Sequence, residues 1–300
     1  MKKLFFFLIM CIGLLELVYS QTQNFDASRA FGFLEKQCNY GPRTPGSDGH
    51  KLCLEYLTNE LKKVAETVEK QHFFYTVPLT NQSLRGTNVI GKFNLANPTR
   101  VVLCAHWDTR PKADMDPNPE NHNQPVMGAN DGASGVAVLL EIAQHLKQKS
   151  PPYGVDIVFF DAEDAGLYQN HSSWAIGSKI YANKIPRENM PKFGILLDMI
   201  GDQNLEVFQE INSVQNSPRL VKYVWDIASE IGVNEFYSKQ GYMVSDDHLS
   251  LLSVGIPCID IIDFDYPQWH TVQDTPENCS LESLEKIGRV ILEVIYRGEF

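Results

Sequence analysis

Short, mainly apolar runs alternate with longer amphipathic segments along this chain. The runs VVLCA (101–105), VDIVFF (155–160), FGILLD (193–198) and IPCIDII (256–262) are nearly continuous in apolar residues. That pattern predicts strands buried on both faces. Between them, apolar positions recur at helical spacing. In 132–148, Val136, Leu139, Leu140, Ala143 and Leu146 share one helical face, and Pro151-Pro152 stops the segment. Residues 47–66, 218–231 and 281–296 repeat this pattern. Strand and helix in alternation predict an α/β fold, with a mixed, largely parallel central sheet flanked by helices. Residues 110–125, RPKADMDPNPENHNQP, carry four prolines and no periodicity. They read as a long loop, either a loose surface insertion or the rim of a site.

Length and composition narrow the picture. The chain has 300 residues, 43% hydrophobic and 21% charged, with no internal repeat. This suits one large domain over residues 21–300. The first twenty residues stand apart: a basic MKK, an apolar LFFFLIMCIGLL and a final LVYS read as a cleaved secretory signal ending at Ser20. The apolar run is short for a membrane span. Export to the periplasm or the exterior is therefore expected, with no membrane attachment after cleavage. Losing Lys2, Lys3 and Glu16 leaves 24 basic against 36 acidic residues, a net charge of −12. Such a field disfavours nucleic acid as a partner and favours cationic ligands such as a free amino group.

Five cysteines follow the signal segment: Cys38, Cys53, Cys104, Cys258 and Cys279. There is no Cys-x-x-Cys, and Cys104 and Cys258 sit in strand-like runs where a buried thiol is expected. The spacing names no disulfide pair. Asn81, Asn170 and Asn278 each begin an Asn-x-Ser triplet.

The candidate chemistry lies where the strands end. In open α/β sheets, ligands bind at the carboxyl ends of the strands. After 101–105 comes His106-Trp107-Asp108, after 155–160 comes DAED with Glu163 and Asp164, and the run 193–198 closes on Asp198. The run 256–262 leads into DFDYPQWH, which ends in Trp269 and His270, while GANDGASG (128–135) puts Asp131 before a helix start. Singly, each has an ordinary structural explanation, such as an acid favoured by a helix N-terminus. Together, all at one sheet edge and all of metal-ligand type, they point to a metal site. Zinc accepts His nitrogen and carboxylate oxygen and keeps one position open in catalytic sites. Asp131, Asp164 and His270 supply three such ligands. Calcium prefers more oxygens and no His. Glu163, adjacent to Asp164 but free to point elsewhere, suits a proton carrier. Asp161 receives no role beyond a turn or structural hydrogen bond.

The ordered set RTPGS (43–47), CAHWDT (104–109), GANDGASG, FFDAEDAG, LLDMIGD (196–202), SDDHLSLL (245–252) and QWHTVQDT (268–275) resembles the glutaminyl cyclases. That family shares the phosphorylase/hydrolase-like fold of the two-zinc aminopeptidases. The resemblance implies conversion of an N-terminal glutamine of peptides or proteins to pyroglutamate, with release of ammonia. It also implies one zinc per chain on Asp131, Asp164 and His270, with Glu163 as proton carrier. Asp246 and Asp198 would assist catalysis, Trp269 would bind substrate, and His106 would hydrogen-bond within the site. A monomer is expected. Asp164 stands where animal relatives commonly carry Glu, and Val136 stands where they carry one cysteine of a pair. The short signal and loops look closer to bacterial cyclases of the animal type.

Two alternatives remain at this level. In the parent fold, two zincs would occupy His106, Asp131, Asp164, Asp198 and His270, and all five positions can bind metal. A catalytically inactive binding domain on the same fold is the third reading, and the intact Glu163 argues against it. Cleavage after Ser20 would also expose Gln21, so the mature chain would begin with its own class of substrate.

Overall fold

The computed structural model describes residues 24–300; the expected signal segment and Gln21 lie outside the described residues. The predicted strands form as β3 (Arg100–His106), β4 (Gly154–Phe160), β5 (Gly194–Asp198) and β8 (Cys258–Ile262). They run parallel, with Leu103 paired to both Ile157 and Ile195. A hairpin of β1 (Thr67–Thr76) and β2 (Ser83–Phe93) adds antiparallel to β4, giving the order β1-β2-β4-β3-β5-β8. The sheet is thus mixed and largely parallel, as the sequence implies. The hairpin is not anticipated by the apolar runs. Most of β1 is at least partly exposed, so TVEKQHFFYT carries four polar residues in succession, Glu69 to His72. A short parallel pair, β6 (Val207–Gln209) and β7 (Phe236–Gln240), stands apart.

The period of two along the strands divides the interior into two cores. Val101, Leu103, Ala105, Ile157, Phe159, Ile195, Leu197, Ile259 and Ile261 face the larger one. There they meet α1 (Ala27–Cys38), α2 (Asp48–Val64), α3 (Ala133–Gln148), α6 (Pro218–Glu230) and α8 (Leu281–Arg297). Val102, Cys104, Val158, Phe160, Leu196 and Cys258 face the smaller one, closed by Tyr181 of α4 (Ile176–Lys184) and Leu251 of α7 (His248–Ser253). Each fully buried Val, Leu, Ile or Phe contributes roughly 1.5–3 kcal/mol. The short helix α5 (Ile211–Asn216), capped by Glu210, packs against β8 and α6.

One local expectation changes, and one left open is decided. The segment 132–148 reads as one-faced, yet α3 is buried almost all round because it lies between the sheet and helices α1 and α8. Its buried acid, Glu141, is satisfied by Arg29, whose Nε and Nη2 donate at 2.5 and 2.7 Å. The five cysteines of the described residues are buried and free. The loop 110–125 is a rim and not a loose insertion. Arg110 within it is fully buried, Met115 N donates to His270 O at 3.2 Å, and Asp116 accepts from Val272 N at 3.0 Å. Among the described residues no helix is long and apolar enough to cross a membrane.

Candidate active site

Four parallel strands deliver their following residues to one edge of the sheet. His106 is the last residue of β3 and Asp198 the last of β5, while Glu163 and Asp164 follow β4 within four residues. The backbone bends sharply at each delivery. Ala162, Met199 and His270 adopt positive φ of 61°, 47° and 53°. Such non-glycine conformations cost of order 1–3 kcal/mol and persist where surrounding structure imposes them. Here they turn Glu163, Asp198 and the His270 ring into one cleft. Asp131 arrives from the loop before α3. Gly132 follows it at φ 102°, where an added Cβ would lie 2.7 Å from Asp108 O, so only glycine passes.

Two buried carboxylates hold these loops from behind. Asp108 accepts from the backbone amides of Glu163 and Asp164 at 3.0 and 3.2 Å. Asp274 accepts from those of Asn130 and Asp131 at 2.8 and 3.1 Å. Asp161, close to Glu163 and Asp164 in sequence, faces away: it meets His50 Nε2 at 2.9 Å and accepts from Thr87 N at 2.6 Å. Its expected structural part therefore has named partners.

In front, two triads share Asp131. His270 Nε2 lies 3.0 Å from Asp164 Oδ1 and 3.4 Å from Asp131 Oδ2. His106 Nε2 lies 3.0 Å from Asp131 Oδ1 and 3.1 Å from Asp198 Oδ1. In each triad the donor atoms fall within 4.8 Å of one another. Zinc fits the first triad chemically: one imidazole nitrogen and carboxylate oxygens are its usual donors. Asp164 supports the fit: its Oδ2 is buried without a partner, and within hydrogen-bond distance its Oδ1 makes only the 3.0 Å contact with His270. Although one methylene shorter than Glu, it reaches His270.

Charges in so small a volume shift one another. For the polypeptide alone, burial lifts Glu163 well above the usual carboxylic range; His106 opposes this, and Asp164, Asp246 and Asp247 reinforce it. Burial and then Asp198 push Asp246 up to about 7. Burial would lower His270, but Asp164 and Asp131 outweigh it and raise it to about 9. Burial would raise Asp131, but His106 and His270 hold it below the ordinary value. Behind Asp246, His248 Nε2 lies 3.3 Å from Glu210 Oε2 and its Nδ1 3.6 Å from Asp260 Oδ2.

The cleft above these groups holds about 720 Å³ of open space. Glu163, Asp198, Asp246, Asp131 and His270 form its polar floor, and Trp269, Phe264, Tyr168, Trp174, Met199, Met243 and Val244 its walls. Trp269 stacks on His270 with centroids 4.1 Å apart. Of the residues expected from the sequence, Glu163, Asp246, Asp198, Trp269, Asp131 and His270 line this cleft, while Asp164 and His106 lie behind it against His270 and Asp131. Tyr168 and Trp174 were not foreseen, because LYQNHSSW is polar and aperiodic. Asp108 and Asp274 fall inside recognised stretches, but nothing in a sequence marks an acid that receives backbone amides.

Residues 88–295 match the profile of Peptidase family M28. The chain belongs to Peptidase family M28. A solved M28-like relative, the glutaminyl cyclase of Tannerella forsythia, is 40% identical with a TM-score of 0.88, covering 92% of this chain and 100% of that one. A leucine aminopeptidase precursor from Bacteroides thetaiotaomicron is 36% identical with a TM-score of 0.89, covering 93% and 99%. The glutaminyl-peptide cyclotransferase of Boiga irregularis is 26% identical over 286 residues, covering 83% of this chain and 75% of its own. The expected fold is therefore that of the M28 neighbours. Their names include both a cyclase and a peptidase, so the cleft's own chemistry has to separate the two.

Proposed function

We propose that this chain is a glutaminyl-peptide cyclotransferase that converts N-terminal glutamine to pyroglutamate and releases ammonia. One zinc ion held by Asp131, Asp164 and His270 is part of the reading. The observation that carries it is the pairing of Glu163 with a second buried acid, Asp246, in one aromatic-walled cleft. Hydrolysis and cyclisation both need a proton moved from the attacking group to the departing nitrogen, but only hydrolysis must also hold a water. An internal cyclisation needs a proton taken from the attacking amine and delivered to the departing nitrogen, and a site rich in carboxylates of raised pKa suits that.

The substrate supplies both reactants, so orientation is much of the task. Trp269 offers a half-buried ring face beside His270 on which the glutamine side chain can rest. The acidic floor attracts the terminal amine. When bound, zinc supplies a Lewis acid for the γ-carbonyl oxygen. The bond from the α-nitrogen to the γ-amide carbon forms and the bond to the side-chain nitrogen breaks; no water is consumed. Glu163 takes the proton from the α-nitrogen and gives it to the leaving group, which departs as ammonia. Asp246 and Asp198 hydrogen-bond to the nitrogens in transit, and His106 braces Asp131 and Asp198.

A second reading has its own support. His106, Asp131 and Asp198 converge as tightly as the zinc triad, which suits a two-zinc aminopeptidase. Incubation with a Gln-initiated peptide separates the two. The cyclase releases ammonia and a peptide 17 Da lighter, about the mass of one ammonia lost as the tethered amine closes the ring; the peptidase releases free glutamine.

A further inference from the structure

His270 has a second nitrogen, and what it touches reaches beyond the site described so far. Its Nε2 faces Asp164 and Asp131, so this is the nitrogen a metal would take, and the ring proton then resides on Nδ1. Nδ1 lies 2.7 Å from the Tyr168 hydroxyl oxygen. That oxygen accepts from Nδ1–H, so its own proton must be donated elsewhere. Asp114 Oδ1, at 3.3 Å, accepts it. Asp114 cannot serve His270 directly, because their nearest atoms are 3.8 Å apart.

Asp114 is itself fixed. Arg110, fully buried, grips it with Nε at 3.1 Å and Nη2 at 2.7 Å. The other end of the same guanidinium donates through Nη1 to the carbonyls of Asp164 and Gly166, both at 3.0 Å. It also packs against two rings that touch each other, 4.9 Å from the Tyr168 centroid and 4.6 Å from that of Trp174. One buried cation therefore supports Asp164 through its main chain and His270 through Asp114 and Tyr168.

We propose that Tyr168, Asp114 and Arg110 form a relay that positions His270 as a metal ligand, with the Tyr168 hydroxyl fixing the ring's tautomer and tilt. It rests on the assignment of His270 to zinc in the proposed function. Metal-bound histidines usually pass their free N–H straight to a carboxylate or carbonyl; here a phenol is interposed. The interposed ring gives Tyr168 a second use, because its edge forms part of the cleft wall. Substrate wall and metal support are thus one side chain, and all three relay members are positioning residues that do not touch the reacting atoms.

The test measures zinc affinity by competition with a chromophoric chelator, using the full exported chain as wild type, Tyr168→Phe, Asp114→Asn and the double variant. Phe keeps the ring over Arg110 and removes only the hydroxyl. The relay predicts that Tyr168→Phe weakens zinc by about 10- to 100-fold, the usual cost of removing such a partner. The melting temperature of its metal-free form should stay at the wild-type value. The double variant should bind no more weakly than the weaker single. Affinity of Tyr168→Phe within threefold of wild type overturns the relay, and so do single effects that multiply in the double variant. If Asp114→Asn fails to fold, Tyr168→Phe decides alone. A wild type that takes up no zinc overturns the ligand assignment and the relay with it. A wild type that holds zinc beside an unaffected Tyr168→Phe overturns only the relay.

Discussion

Asp108 holds Glu163 by its backbone: the Glu163 amide donates to Asp108 Oδ1 at 3.0 Å, while the Asp164 amide donates to Oδ2 at 3.2 Å. One carboxylate at the end of β3 thereby fixes two adjacent acids that follow β4 and point to different tasks. Asp108→Asn replaces one acceptor oxygen by an NH₂ that confronts a backbone N–H. It should cost about 1–3 kcal/mol of stability, the penalty for a buried polar group left unpaired. Urea unfolding of the metal-free variant reads this directly. Turnover should fall together with stability, because Glu163 loses its fixed position.

Glu163→Gln keeps the size and removes the base. It should retain stoichiometric zinc and lose turnover by about 10²–10⁴, the usual contribution of a positioned proton carrier. Metal analysis beside kcat separates this from loss of a ligand. Turnover close to wild type would remove Glu163 from the proposed role.

Much of this site is legible in the sequence because strand ends carry it. His106, Glu163, Asp164 and Asp198 lie within four residues of apolar runs, and the α/β pattern puts those ends at one edge. The place of Asp131 is also legible once the helix start after it is recognised, but its contact with both His106 and His270 is not. Tyr168 and Trp174 are not, since they come from an irregular loop whose position depends on Arg110, 54 to 64 residues away in sequence. Nor is the β1–β2 hairpin, whose exposed edge carries no continuous apolar signal. Tertiary partners decided these elements, and a local pattern could not carry them.

Glu210 links stability to pH. Burial would raise it, but hydrogen bonding to His248 and the amides of Asn212 and Ser213 hold it at about 2, below its ordinary 4.5. A carboxylate depressed on folding contributes stability above its unfolded pKa and loses it as pH falls through the folded value. The window therefore runs from about pH 5 down to about pH 2. Glu210→Gln should be less stable than wild type by about 3 kcal/mol at pH 6, from roughly 1.4 kcal/mol for each of ~2.5 pKa units. The deficit should shrink steadily across the window. Denaturant unfolding at pH 6 and pH 2.5 checks it; an unchanged deficit would contradict the linkage.

The substrate imposes its own pH dependence. Its α-amine must be neutral to attack, and such amines titrate near ~8. kcat/KM for a Gln-initiated peptide should therefore rise from pH 6 and level off above about pH 8. A flat profile over that range would show that deprotonation of the amine is not required.

The proposed function has one zinc and an acid pair cyclise a glutamine in this cleft. Measuring bound zinc per chain together with ammonia release from a Gln-initiated peptide tests it most directly. One zinc per chain, ammonia equal to peptide consumed, and no free glutamine are expected. Two zincs per chain with free glutamine as the product would contradict it.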